Sequence, residues 1–106
     1  MPPSQLYCRG NVEVTGPVVA IVGTRKPTAY GKAVTLELAE KLAKRGVVIV
    51  SGLALGIDSI AHTGALNVGG RTVAVLASGV DLITPTSHLS LAEQILQKNG
   101  GILSEY

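Results

Sequence analysis

Residues 18–25 read Val-Val-Ala-Ile-Val-Gly-Thr-Arg, an apolar run of mostly β-branched residues that stops at a glycine, a hydroxyl and a guanidinium. Such a run is typical of a strand buried on both faces, as in parallel sheets. Gly23 permits a sharp turn, and the next helix begins shortly after it. Residues 47–52, Val-Val-Ile-Val-Ser-Gly, repeat the pattern. Because helix N-termini that follow parallel strands attract anions, the two turns predict a crevice for a phosphate group.

Composition places the chain among globular domains. Of its 106 residues 46% are hydrophobic, and with no Phe or Trp the core must consist of Val, Ile, Leu and Ala. The net charge of +2 neither requires nor excludes nucleic acid, so a basic site depends on local arrangement. The single Cys8 cannot form an internal disulfide, and we expect neither metal nor cofactor. Because no apolar run approaches ~18 residues and no signal peptide opens the chain, we expect a cytoplasmic protein without membrane contact.

Strand and helix patterns alternate along the chain. We predict strands at residues 18–23, 47–51 and 72–77, helices at 29–45, 57–67 and 91–99, and the start of another strand at Ile102. Residues 1–16 are a lead-in with a short edge strand at 6–10, and residues 17–106 form the domain proper. This order predicts a three-layer α/β/α fold with a mostly parallel sheet and right-handed crossovers. We expect it to be part of a larger domain.

Two helices carry more detailed expectations. In the first, Val34, Leu38 and Leu42 form the apolar face, and Glu37 and Lys41 make an i,i+4 pair on the opposite side. The third helix is predicted to open with the capping box Ser-Leu-Ala-Glu at residues 90–93.

The two turns leave more than one interpretation open. The turn at 23–28 has a single glycine, so it matches neither G-x-G-x-x-G nor a Walker A loop. It is either a site that presents Arg25 beside a helix N-terminus or a tight turn with solvated charges. In the second turn, Gly52 and Gly56 flank a small apolar segment. An NAD site would need an acidic residue where Ser51 and Gly52 stand, which argues against NAD.

Asp58 and His62 lie one helical turn apart in the second predicted helix. They are either an acid–base pair or a helix-start carboxylate bonded to a nearby imidazole or to backbone. We favour the structural interpretation because no nucleophile or metal-ligand set accompanies them. Gly79 and Asp81 follow the third strand and are expected at the same edge of the sheet, where Asp81 is typical of a turn.

Several ordered motifs resemble the DNA-processing protein A family, also called Smf, over nearly the whole chain. They are Val-Gly-Thr-Arg at 22–25, Tyr-Gly at 30–31, Ser-Gly-Leu-Ala-Leu-Gly-Ile-Asp at 51–58, Ala-His at 61–62, Gly-Val-Asp at 79–81 and Ser-Glu at 104–105. One departure is Thr84-Pro85, where the family usually has Tyr-Pro. The chain also stops before the Phe-x-x-Arg-Asn-Arg stretch of the proteins it resembles.

The resemblance implies a Rossmann-like domain that binds single-stranded DNA and is not an enzyme. It further implies protection of incoming DNA in natural transformation, assistance to RecA loading, and a homodimer at full length. The DNA phosphates would be bound at the two turns, with supporting residues behind them. The binding residues so predicted are Gly23, Thr24, Arg25, Lys26, Ser51, Gly52, Leu53 and Gly56, and the supporting residues are Asp58, His62 and Gly79.

Two other functions stay open at this point. One is a Rossmann-like nucleotide-processing enzyme of the phosphoribohydrolase type, whose Pro-Gly-Gly-x-Gly-Thr motif is absent from this sequence. The other is a scaffold that does not bind DNA by itself. Hydrolysis of a nucleoside monophosphate would indicate the enzyme, whereas salt-sensitive oligonucleotide binding would indicate the DNA-binding protein.

Overall fold

Strands and helices alternate in the computed structural model, which describes residues 7–76 and 87–104. In chain order the elements are β1 (Tyr7–Gly10), β2 (Val18–Ala20), α1 (Ala29–Lys44), β3 (Val48–Ser51), α2 (Ile57–Asn67), β4 (Thr72–Leu76), α3 (Ser87–Gln97) and β5 (Gly101–Ser104). None of the helices in these two ranges is long and apolar enough to cross a membrane.

The strands form one sheet in the order β1-β5-β4-β3-β2. Strands β2 to β5 run parallel, and β1 pairs antiparallel with β5. Within the described residues β1 and β2 are the edge strands, and Val18 and Val22 are 43% and 71% exposed, so the run at 18–25 is not buried on both faces as its composition predicts. The mostly parallel α/β sheet expected from the sequence is therefore confirmed. Since each crossover steps in the same direction and crossovers are right-handed, α1, α2 and α3 lie on one face of the sheet. The described residues contain no helix on the other face, so within them the expected α/β/α arrangement shows two of its three layers.

Two apolar clusters fill the space between helices and sheet. One joins α2 and α3 to β4 and β5, and the other joins α1 and α2 to β3. Ile49, Ile95 and Ile102 are completely buried in them. The opposite face of the sheet is open at Val75, which is 47% exposed, whereas Val73 on the same face of β4 is buried.

Helix α1 buries little of the face that its hydrophobic spacing predicts, since of its three members only Leu42 is partly buried, against the cluster of α1, α2 and β3. Val34 and Leu38 are 43% and 47% exposed, whereas Thr35, Ala39 and Ala43 are buried. The reason is the close approach of α2, because a Cβ at Gly64 would lie 2.7 Å from the Cβ of Ala39. Only the small side chains of α1 fit against a helix that is so near.

The ion pair predicted on α1 is present, and a glycine ends the helix. The Lys41 ammonium lies 2.8 Å from the Glu37 carboxylate. This hydrogen bond and the positive charge of Lys41 lower the pKa of Glu37. Gly46, with φ of +83°, follows the helix in the left-handed conformation that ends many helices.

The expectation for α3 needs a correction, because the helix begins at Ser87 and not at the capping box that starts at Ser90. A capping interaction contributes only about 1 kcal/mol. Packing of Ala92 and Ile95 into the core contributes more than that and does not depend on where the first turn starts.

Candidate functional site

The two glycine-containing turns lie side by side at the carboxyl edge of the sheet. Parallel pairing of β2 with β3 places their ends together. Beyond β2 the pairing continues, since the Ile21 N–H donates to the Val50 carbonyl oxygen at 2.9 Å. The Ser51 hydroxyl donates to the Ile21 carbonyl oxygen and so joins the start of one turn to the other strand.

Asp58 connects both turns through its carboxylate. The Gly52 N–H donates to Oδ2 at 2.8 Å, and the Gly23 N–H donates to Oδ1 at 3.3 Å. Asp58 is only 6% exposed. A Cβ at Gly52 would lie 2.7 Å from Oδ2, so this approach requires glycine. The carboxylate thus satisfies from within the protein the amides that the sequence predicts to face a phosphate.

The loop at residues 24–28 is held against the start of α2. The Ile57 N–H donates to the Thr24 carbonyl oxygen at 3.1 Å. A Cβ at Gly56, which has φ of +82°, would overlap the backbone of Thr24 and Arg25. At the other end of the loop, the Thr28 hydroxyl accepts from the Gly31 N–H at 3.0 Å and caps α1.

A basic cavity lies between this loop and the first turns of α1 and α2. Its volume is about 430 Å³, within the range of small-ligand sites. In the described part of the chain, three exposed cations and no carboxylate line this cavity, so these residues favour anions. Arginine adds a planar fork that matches phosphate oxygens. The lining residues of this basic cavity are Arg25, Lys26, Pro27, Lys32, Leu55, Gly56, Ser59 and Ile60.

The structure divides the predicted binding residues into two groups. Arg25, Lys26 and Gly56 line the basic cavity. Four of the others make hydrogen bonds within the protein instead: Gly23 and Gly52 bond to Asp58, Ser51 bonds to Ile21, and the Thr24 oxygens accept from Lys26 and Ile57.

Leu53, the remaining predicted binding residue, lies in the core and has an unusual backbone. Its side chain is 3% exposed in the core, and its φ is +63°. A bulky residue in the left-handed region is strained by about 1–3 kcal/mol, which is a common property of residues at functional sites. Burial of the side chain in the α2–α3 cluster holds this conformation.

The structure also adds residues that the sequence does not indicate as site residues. Lys32 and Ser59 line the cavity, although each belongs to a helix and looks like an ordinary surface residue in sequence. Lys32 follows the cap residue Thr28 by four positions, and this nearness to a helix start is the one local signal it carries. Its distance from Arg25 depends on how α1 and α2 pack together.

His62 is fully buried one turn after Asp58. Its Nδ1 lies 2.7 Å from the Thr72 hydroxyl oxygen, and that hydroxyl donates to the Ile49 carbonyl oxygen at 2.7 Å. Because the hydroxyl has one hydrogen, Nδ1 of His62 must be the donor to Thr72. His62 thus ties α2 to β3 and β4.

The geometry leaves untested the predicted supporting role of Gly79 and the expectation that the protein holds no metal. Gly79, with the Gly-Val-Asp motif at 79–81, lies outside the described residues. Within the described residues, no cluster of three or more His, Cys, Asp or Glu side chains has the arrangement of a metal site.

Comparison with known proteins gives a consistent family. A family model described as DNA recombination-mediator protein A matches residues 1–106. Protein Smf of Synechocystis sp. is 50% identical over 110 residues, which covers 99% of this chain and 27% of the relative. DNA processing protein DprA of Bacillus subtilis is 42% identical over 107 residues, covering 99% of this chain and 36% of the relative. The chain therefore spans about a quarter to a third of the length of these relatives.

Solved structures agree with this result. DNA processing protein A from Helicobacter pylori, described for its single-stranded DNA binding mode, has a TM-score of 0.88 and 47% identity. The match covers 100% of this chain and 48% of that chain. DprA from Streptococcus pneumoniae has a TM-score of 0.81 and 36% identity over 95% of this chain and 35% of that one.

Proposed function

The chain belongs to the DNA recombination-mediator protein A family, and we propose that it binds single-stranded DNA through phosphate groups held at the basic cavity. The observation that carries this proposal is the convergence of Arg25, Lys26 and Lys32 around one cavity, with no carboxylate among its described lining residues. A net charge of only +2 cannot concentrate phosphate over the whole surface, so this local cluster has to supply the attraction.

The remaining features of the cavity suit a nucleic-acid backbone better than a small metabolite. Its three cations are exposed, so a long polyanion reaches them without closure of the site. Tyr30, in the same first turn of α1 as Lys32, is 79% exposed and has a ring face free to stack on an unpaired base. Phosphate contacts carry little base information, so binding is expected to show weak sequence preference.

The family match supports a proposal for the wider role. We propose that the protein handles single-stranded DNA without catalysing a reaction, protects incoming DNA in natural transformation and assists RecA loading. A homodimer and a cytoplasmic location belong to the same proposal. Its support is the family match and the relatives named DNA processing proteins.

Fluorescence anisotropy with a labelled single-stranded oligonucleotide, titrated over a salt series, tests the proposal. We expect binding that weakens steeply with salt and changes little between oligonucleotide sequences. Strong preference for one sequence would contradict a phosphate-based site. Absence of binding by the folded chain would favour the scaffold, and hydrolysis of a nucleoside monophosphate would favour the enzyme.

A further inference from the structure

Asp58 occupies the place where the two glycine turns are best arranged to hold an external anion. Two amides from adjacent strand ends converge on its oxygens at 2.8 and 3.3 Å. Amides that converge in this way form anion sites in many α/β proteins. Here the anion is the protein's own side chain, 6% exposed and placed in the first turn of α2.

We propose that Asp58 is a positioning residue, whose carboxylate acts as an internal anion that joins the two turns and leaves the external phosphate to the basic cavity. This inference rests on the proposed DNA-binding function. It assigns no contact between Asp58 and DNA. It also means that the Gly23 and Gly52 amides, although predicted as phosphate ligands, serve to fix the loop that carries the cations.

The path from Asp58 to the cavity is short. Arg25 and Lys26 follow Gly23 by two and three residues, and their loop touches α2 through the Thr24 carbonyl oxygen and the Ile57 N–H. When the carboxylate releases the Gly23 amide, the loop loses one of its hydrogen bonds to α2. The cations then spread over more positions, and fewer of them contact the phosphate at the same time.

The Asp58 carboxylate keeps its orientation because α2 is also held in place one turn later, at His62. The His62 imidazole donates to the Thr72 hydroxyl, which bonds to the backbone of β3. Residues four apart lie on the same side of a helix, so this anchor prevents α2 from rotating. The carboxylate therefore stays aimed at the two amides.

Asp58→Asn tests the proposal because the positioning role and the change in charge predict opposite changes in DNA affinity. Asparagine has the same shape, but it offers one acceptor oxygen and turns an NH2 donor toward one of the two N–H groups. Glu37→Gln is the matched control, since it removes the same charge from an exposed side chain of α1. By charge alone, both substitutions make the chain more basic and tighten DNA binding.

We expect the two variants to differ in direction. The Kd of Asp58→Asn for a single-stranded oligonucleotide should rise by about threefold or more, which is less than for removal of a whole cation because the loosened loop keeps its charges and only holds them less often at the phosphate. The Kd of Glu37→Gln should stay equal or fall. A folded Asp58→Asn that binds as tightly as Glu37→Gln overturns the proposal. A wild type that binds no oligonucleotide instead overturns the proposed function, so the two failures are distinguishable.

A measurement on the wild type decides the matter if Asp58→Asn does not fold. Inorganic phosphate is titrated into 15N-labelled protein, with sodium chloride at equal ionic strength as the control. We expect the amide resonances of Arg25 and Lys26 to move while those of Gly23 and Gly52 stay in place. If the two glycine amides move most, the external anion binds there, and the positioning role is wrong.

Discussion

Replacing Arg25 by alanine is the most direct test of the basic cavity. The side chain is exposed in the loop before α1 and lines the cavity, so its removal leaves the apolar core intact. Lys41→Ala is the matched control because it removes the same charge. The Lys41 side chain is 69% exposed and pairs with Glu37 at 2.8 Å, on a helix face outside the cavity lining.

The expected magnitude follows from the number of cations. Each phosphate contact on single-stranded DNA contributes about −0.7 to the slope of log K against log salt, so three contacts give roughly −2. Between 50 and 200 mM salt, wild-type affinity should then fall about 18-fold, and that of Arg25→Ala, with two contacts, about 7-fold. At fixed low salt, loss of a charged hydrogen bond of about 1.5–2 kcal/mol raises the Kd by roughly 10- to 30-fold.

The assay is fluorescence anisotropy with one labelled oligonucleotide for wild type, Arg25→Ala and Lys41→Ala at several salt concentrations. Circular dichroism confirms that all three are folded. Lys41→Ala should keep the wild-type slope and change the Kd only slightly. Equal losses in the two variants would show that binding depends on total charge, and the assignment of phosphate to the cavity would be wrong.

Three further substitutions test residues that the tertiary structure identifies. Lys32→Ala should reduce the salt slope by about 0.7 in the same titration, and an unchanged slope would remove Lys32 from the site. Gly52→Ala should destabilise the fold by about 1–3 kcal/mol in urea denaturation, because its Cβ would meet the Asp58 carboxylate at 2.7 Å; a neutral effect would contradict this close approach. Thr72→Val should cost about 1–3 kcal/mol in thermal unfolding, because it removes the acceptor of the buried His62 N–H, and an unchanged Tm would argue against that hydrogen bond.

Much of the fold is predictable from the sequence because the signals are local. The apolar runs at 18–23, 47–51 and 72–77 locate β2, β3 and β4 to within a few residues. The starts of α1 and α2 also agree, since cap residues and glycines act on the backbone next to them. The start of α3 is wrong because Ser90 and Glu93 form a good local pattern inside a helix that begins one turn earlier.

At the candidate site, too, the sequence predicts the local features and misses those that depend on packing. The sequence predicts Arg25 and Lys26 as binding residues, since they follow a strand end and precede a helix. For Lys32 it offers only the nearness to a helix start, which many surface lysines share, and it treats Gly23 and Gly52 as ligands of an external anion. The contacts with Asp58 span 35 residues to Gly23 and six to Gly52, so the pairing depends on how α2 docks on the sheet.

By itself, then, the sequence determines the order of strands and helices, the parallel sheet and the position of two glycine turns at its carboxyl edge. These follow from side-chain periodicity and backbone preference, which act over a few residues. Only the tertiary structure decides which side of α1 is buried, which carboxylate fills the amides of the turns and which lysine joins Arg25. Each of these depends on the approach of α2 to its neighbours, where the absence of a Cβ at Gly64 and at Gly52 sets the distance between segments that are remote in the chain.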